Sequence, residues 1–105
     1  MEVYTYKKLR EAGISADYEQ HRFELLPAFV ALSGKKYRAM TYLPDFVGKD
    51  FIIECKGFPT DSWPLRKKLF EYALVRDKLK YNFYEVHTQK EVDALVLNLK
   101  KQQHE

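Results

Sequence analysis

The spacing of apolar residues along the chain predicts three helices. Residues 2–12 form the first, because their apolar positions recur about every three residues and Gly13 follows as a terminator. Residues 64–78 form the second, after a loop whose Asp61 and Ser62 are candidate helix caps. The third begins after Thr88, where Thr88 and Glu91 have the spacing of a capping box. The apolar positions expected to be buried are Val3, Tyr6, Leu9, Leu65, Leu69, Phe70, Ala73, Leu74, Val92, Leu95, Val96 and Leu99.

Alternating apolar and polar positions predict four strands. Three of them, residues 18–25, 37–46 and 51–56, come in succession, and a turn at Gly48-Lys49-Asp50 joins the last two. They are expected to form an antiparallel meander. The fourth strand, residues 81–86, follows the second helix, so it should lie parallel to strand 51–56 through a right-handed crossover.

The predicted order of elements is α-β-β-β-α-β-α. This order gives an α/β fold in which a mixed sheet of about four strands is flanked by helices. With 105 residues, the chain is expected to form a single domain, residues 1–105.

Charged residues interrupt the apolar strand 51–56. Phe51, Ile53 and Cys55 should share one face, so Glu54 and Lys56 lie with Ile52 on the other. Asp45 precedes the turn and can be brought beside Glu54. Buried charges are costly unless they are paired or hold a metal ion, which makes these three residues candidates for a functional site. The alternative is an ordinary Glu54–Lys56 ion pair on an edge strand, with Asp45 a turn residue.

Composition narrows the class of protein. The formal net charge is +3, and no apolar run approaches the length of a membrane span or a signal peptide, so a cytoplasmic location is expected. The one cysteine, Cys55, excludes an internal disulfide and a multi-cysteine zinc site, and it is expected to be buried. Two basic groups flank the candidate acids and suit a polyanionic partner. They are Lys35, Lys36 and Arg38 before the turn, and Arg66, Lys67 and Lys68 after it.

Two short motifs, Tyr-Leu-Pro-Asp-Phe at residues 42–46 and Ile-Glu-Cys-Lys-Gly at residues 53–57, carry a family resemblance. The chain resembles the PD-(D/E)XK nuclease superfamily, and within it the phage endonucleases related to the junction-resolving endonuclease I of T-odd phages. The resemblance includes the early glutamate of the first helix and the stretch Tyr18-Glu19-Gln20. It implies a restriction-endonuclease-like core and a nuclease domain over nearly the whole chain.

The resemblance also implies roles for individual residues. Asp45, Glu54 and Lys56 would be catalytic, and Glu2 would be the third acid, with Glu19 and Glu11 as substitutes for it. Mg²⁺, for which Mn²⁺ would substitute, would be bound by Asp45, Glu54, Glu2 and the backbone carbonyl of Cys55, since Mg²⁺ prefers oxygen ligands. Lys56 would orient or deprotonate the attacking water, or stabilise charge on phosphorus. Gln20 and Glu19 would have supporting roles at the metal site. The residues that would contact DNA are Lys36, Arg38, Thr60, Arg66, Lys67 and Lys68.

The leading hypothesis is therefore a metal-dependent endodeoxyribonuclease that acts on branched DNA such as a four-way junction. The resemblance implies the branched substrate and a homodimer. The alternatives are a nicking or restriction-like nuclease of ordinary duplex, a nuclease that acts on RNA, and a non-catalytic nucleic-acid-binding module on the same fold.

Overall fold

The computed structural model describes residues 1–57 and 60–103, and within them three helices and eight strands are found. Part of the predicted loop 57–64 and the end of the C-terminal tail lie outside these ranges. The elements in chain order are α1 (Glu2–Glu11), β1 (Asp17–Tyr18), β2 (Phe23–Leu26), β3 (Phe29–Val30), β4 (Lys36–Tyr37), β5 (Met40–Tyr42), β6 (Phe46–Val47), β7 (Phe51–Cys55), α2 (Trp63–Arg76), β8 (Asn82–Val86) and α3 (Gln89–Gln103).

A four-stranded mixed sheet in the order β1-β6-β7-β8 forms the centre of the fold. β6 is antiparallel to both β1 and β7, with Phe46 opposite Ile53 across the β6–β7 hairpin. β8 is parallel to β7, and α2 connects them. The predicted α/β class, the mixed sheet of four strands and the crossover are confirmed.

The three predicted segments pair antiparallel in the order of a meander, but they are not continuous strands. Segment 18–25 divides into β1 and β2, and segment 37–46 divides into β4, β5 and β6. β2 pairs with β5 and β3 pairs with β4 in two small antiparallel ribbons outside the central sheet. The breaks have local causes: Glu19 has a left-handed backbone with φ of 49°, and Pro44 has no N–H for a strand ladder.

Two hydrophobic cores lie on opposite faces of the central sheet. One contains buried residues of α1 and α3 with Phe51, Ile53 and Cys55, and the other contains buried residues of α2 with Ile52. The predicted alternation along β7 is therefore confirmed. All five of its residues are buried, as expected for a strand covered on both sides.

The buried face of α1 differs from the prediction. Val3 and Tyr6 are exposed, whereas Thr5 and Leu9 are buried. The hydroxyl of Thr5 donates to the carbonyl of Met1 at 2.9 Å and lies 3.4 Å from Cys55 Sγ, so a polar residue occupies the contact with the sheet. Glu2, three residues before Thr5, is on this same side of the helix.

The two later helices begin where the sequence predicts, but their caps differ. At α3 the N–H of Glu91 donates to Thr88 Oγ1 at 3.1 Å, while the Glu91 carboxylate accepts from the N–H of His87 instead of Thr88. Ser62 is the N-cap of α2 but makes no side-chain cap, because its hydroxyl lies 3.2 Å from that of Thr60. Over the described part of the chain, no helix has the length and hydrophobicity needed to cross a membrane.

Candidate acidic site

The β6–β7 hairpin positions the two acids of the sequence motif. The N–H of Gly48 donates to the carbonyl of Phe51 at 2.8 Å, which closes the turn and sets the register of the two strands. Asp45 comes just before β6, and its Oδ2 accepts from the backbone N–H of Cys55 at 2.7 Å. Asp45, which immediately precedes β6, therefore lies beside the end of β7 that carries Glu54.

Both carboxyl groups are buried, with Asp45 6% and Glu54 5% exposed. Burial raises the pKa of Asp45 to about 7, and although the N–H of Cys55 opposes this shift, the nearby charges of Glu54 and Glu2 add to it. A buried carboxylate near other carboxylates is electrostatically unfavourable unless a proton or a cation compensates for it.

Glu54 has two partners of its own. The hydroxyl of Tyr42 donates to Glu54 Oε1, and Lys56 Nζ lies 3.4 Å from Glu54 Oε2. Burial, followed by the hydrogen bond to Glu54, raises the pKa of Tyr42, so the phenol remains a hydrogen-bond donor. The Lys56 ammonium also lies 4.4 Å from the centroid of the Trp63 ring, and Trp63 is buried. Lys56 is thus held between a carboxylate and an aromatic face, with a quarter of its side chain exposed.

Two further carboxylates, those of Glu2 and Glu19, converge on Asp45. Glu2, Glu19 and Asp45 each offer an oxygen, and these oxygens lie within 4.8 Å of one another. α1 presents Glu2, which accepts from the hydroxyl of Tyr18. The left-handed turn after β1 presents Glu19, whose N–H donates to the carbonyl of Asp45 at 2.9 Å.

The structure thus brings Glu2 and its proposed substitute Glu19 to Asp45 together. Glu54, which the sequence paired with Asp45 as a metal ligand, is not one of these three. Its oxygens contact Tyr42 and Lys56. Glu11, the other substitute, is exposed at the far end of α1. Gln20 is exposed next to Glu19.

Two tyrosines of the site were missed by the sequence analysis. Tyr18 and Tyr42 bind Glu2 and Glu54, and both contacts join residues of different elements. Tyr42 stands three positions before Asp45 in the motif, which is the one signal that pointed toward it.

Cys55 is the last residue of β7 and is buried, as predicted. Burial raises the pKa of its thiol to about 11, so the thiol is protonated and packs as an apolar group. The backbone of Cys55 contributes through its N–H to Asp45. The role of its carbonyl as a metal ligand stays a prediction.

The predicted DNA-contacting residues fall into two groups. Lys36, Arg38, Thr60 and Lys68 are exposed. Arg66 donates to the carbonyl of Thr41 at 2.9 Å, and Lys67 forms a 2.9 Å ion pair with Glu85. These intramolecular contacts give Arg66 and Lys67 a structural explanation that needs no phosphate, and their role in DNA contact stays a prediction.

The comparisons with known proteins identify a family without an assigned activity. Residues 1–97 match a family described as "Protein of unknown function (DUF1064)". No curated protein and no solved structure matches the chain. Since the match covers nearly the whole chain, the protein belongs to the DUF1064 family.

Proposed function

We propose that this protein is a metal-dependent endodeoxyribonuclease with a restriction-endonuclease-like core. The observation that carries the proposal is the burial of Asp45, just before β6, and of Glu54 in the neighbouring β7, with Lys56 paired to Glu54 and two further acids beside Asp45. An ordinary ion pair on an edge strand explains less, because β7 lies inside the sheet and is covered on both faces.

The cluster of three carboxylates from Glu2, Glu19 and Asp45 fits a divalent cation of the Mg²⁺ type. Its donors are all oxygens that lie within 4.8 Å of one another, and they come from three separate parts of the chain. A cation here would offset the burial, and the charges of Glu54 and Glu2, that raise the pKa of Asp45. The sequence hypothesis is thereby refined: Glu19 joins Glu2 and Asp45 as a proposed ligand, and Glu54, which pairs with Lys56, would complete the site.

A bound Mg²⁺ ion would supply a polarised phosphate and a water of lowered pKa. The chain itself supplies the other requirements. Glu54 fixes the Lys56 ammonium, and Tyr42 and Trp63 fix this pair in turn, so the positive charge is preorganised beside the acids. A cation held in this way is suited to orienting a water or to stabilising charge that develops on phosphorus.

The substrate class follows from the resemblance of the two motifs. We propose that the substrate is DNA, and that branched DNA such as a four-way junction is the preferred form. We also propose that the active species is a homodimer, because cutting a junction needs two sites. The DNA substrate and the homodimer are proposals, as the nuclease activity is.

The test is cleavage of labelled four-way junction, nicked duplex, linear duplex and RNA, with Mg²⁺ or Mn²⁺. We expect wild type to cut a DNA substrate only when the metal is present. Asp45→Asn and Lys56→Ala should each reduce the rate by about 10²-fold or more, since each removes a charge next to the reacting phosphate. Lys49→Ala, which removes an exposed lysine from the β6–β7 turn, is the matched control and should cut like wild type.

Each outcome distinguishes the proposal from its rivals. No cleavage of any substrate by wild type, or equal cleavage by all variants, would refute the enzyme assignment. Tight DNA binding that needs no metal and leads to no product would identify a binding module. Cleavage of RNA alone would support the assigned catalytic site but change the proposed substrate from DNA to RNA.

A further inference from the structure

A segment of residues 26–39, called here the arm, extends outside the two cores. It contains the β3–β4 hairpin, and all its residues except Ala31 are exposed. The protein is correspondingly elongated, with extents of 52 × 29 × 19 Å. Its radius of gyration is 15.7 Å, against about 13 Å for a compact domain of this size.

The base of the arm is fixed to the body of the protein. β2 pairs with β5, and Leu25 is buried against α2. The guanidinium of Arg76 donates to the carbonyls of Leu25 and Glu24 at 2.9 and 2.8 Å, and Arg66 donates to the carbonyl of Thr41 at 2.9 Å. β5 follows the arm and ends at Tyr42, which binds Glu54, so β5 connects the arm to the candidate site.

The tip of the arm is an ordered turn that displays one apolar side chain. The N–H of Ala31 donates to the carbonyl of Lys35 at 2.8 Å, and Gly34 allows the turn with φ of 90°. Behind the turn, the rings of Phe29 and Tyr37 stack with centroids 5.1 Å apart. Leu32, at the tip, is fully exposed. An unsupported leucine on an ordered turn is unfavourable in water and suited to insertion into a partner.

The arm also carries the net charge of the molecule. Between residues 25 and 44 there are three basic residues, Lys35, Lys36 and Arg38, and no acidic one. The chain has 18 basic and 15 acidic residues, so the rest of it is balanced. Contact between the arms of two copies is disfavoured, because it would bring like charges together. A polyanion is complementary to the basic arm.

We propose that the arm docks on duplex DNA, with Leu32 inserted at a base step and Lys35 and Lys36 on the flanking phosphates. Two-stranded ribbons fit the grooves of DNA, and apolar side chains inserted between base pairs unstack and kink the duplex. The inference rests on the proposed function for its ligand, DNA, but not for cleavage. It assigns the arm the role of bending the substrate next to the acidic site.

The experiment measures binding in EDTA, so that no cleavage is required. A duplex containing 2-aminopurine reports unstacking through increased fluorescence, and anisotropy gives the affinity. Wild type should bind and increase the 2-aminopurine signal. Leu32→Ser should lose that increase and bind about tenfold more weakly, as expected for the loss of one buried leucine. Leu97→Ser, which alters an exposed leucine of α3, is the matched control and should behave as wild type.

The outcomes separate this inference from the proposed activity. Binding and 2-aminopurine signals that are unchanged in Leu32→Ser would overturn it. So would Leu32-dependent self-association in sedimentation, which would make the arm an interface between copies, or equal Leu32-dependent unstacking of an RNA duplex. If wild type cuts no substrate but still unstacks DNA through Leu32, the proposed nuclease activity is refuted and the proposed docking of the arm on DNA is supported.

Discussion

Asp45 is the residue whose chemistry depends most on its surroundings. Its ordinary pKa is 3.8, and burial raises the pKa in the folded protein to about 7. The folded state therefore binds a proton more tightly than the unfolded state does. Below pH 4 the Asp45 carboxyl is protonated in both the folded and the unfolded state, so its burial does not reduce folding stability through ionisation. Folding stability then falls as the pH rises toward 7, and above 7 the cost is complete.

We predict that Asp45→Asn stabilises the metal-free protein at pH 8, because the neutral amide avoids the burial of a charge. Thermal unfolding in EDTA should show a melting temperature about 5 °C or more above wild type at pH 8, and little difference at pH 4. Asp50→Asn, at an exposed aspartate of the nearby turn, should show no such pH-dependent gain. An Asp45→Asn variant that is less stable than wild type at pH 8 would contradict the buried-charge argument.

The sequence identified Asp45, Glu54 and Lys56 because charges on an apolar strand are conspicuous. It could not identify the donors and neighbours that fix them. Tyr42 of β5 donates to Glu54 of β7, although the two strands are not paired, and Glu19 reaches Asp45 because its backbone is left-handed. Neither relation is a spacing along the chain, so periodicity could not reveal them.

At the level of elements, the β6–β7 hairpin decides the geometry of the site. Its turn needs glycine at position 48 for steric reasons, because a Cβ there would lie 2.1 Å from the ring of Phe51. Phe51 is 4% exposed and packs in the core with α1 and α3, so its ring has little room to move.

We predict that Gly48→Ala lowers the free energy of unfolding by about 1–3 kcal/mol, as overpacking of a core usually does. Urea denaturation measures the effect. Gly57→Ala is the matched control, since a Cβ at Gly57 meets nothing within 4 Å, and it should stay close to wild type. Equal stability of both variants would show that the hairpin can open around Phe51.

Long elements were predicted better than short ones. α2, α3, β7 and β8 contain enough residues for periodicity to define them, and they occur where the pattern placed them. β1, β3, β4 and β6 have two residues each, and they exist only through their partners across a ribbon or sheet. For α1 the helix and the burial of Leu9 were predicted correctly, but Val3 and Tyr6 are exposed and Thr5 is buried instead.

On the scale of the whole molecule, the distribution of charge matters more than its sum. The net charge of +3 resides in the arm, while basic and acidic residues are balanced elsewhere. Nonspecific DNA affinity depends on the number of phosphates that are neutralised, and each contact contributes about 0.9 to the slope of log K against log salt.

We predict that replacing Lys35, Lys36 and Arg38 with glutamine reduces this slope by about 2–3, as the loss of two or three phosphate contacts requires. The matched control replaces Lys90, Lys100 and Lys101 of α3 and lowers the net charge equally. DNA binding across a salt series, in EDTA, gives both slopes. If the two triple variants lose the same slope, total charge and not the arm determines binding.

The sequence by itself determined the class of fold, the crossover, the alternation of β7 and the charged residues on it. These features follow from local periodicity, from helix caps and from the free-energy cost of burying charge, and each depends on residues that are close together in the sequence. Tertiary structure alone decided which acids meet, which tyrosines hold them, and that residues 26–39 leave the body as an arm. Those outcomes depend on contacts between residues far apart in the chain, where burial and pairing outweigh the local pattern.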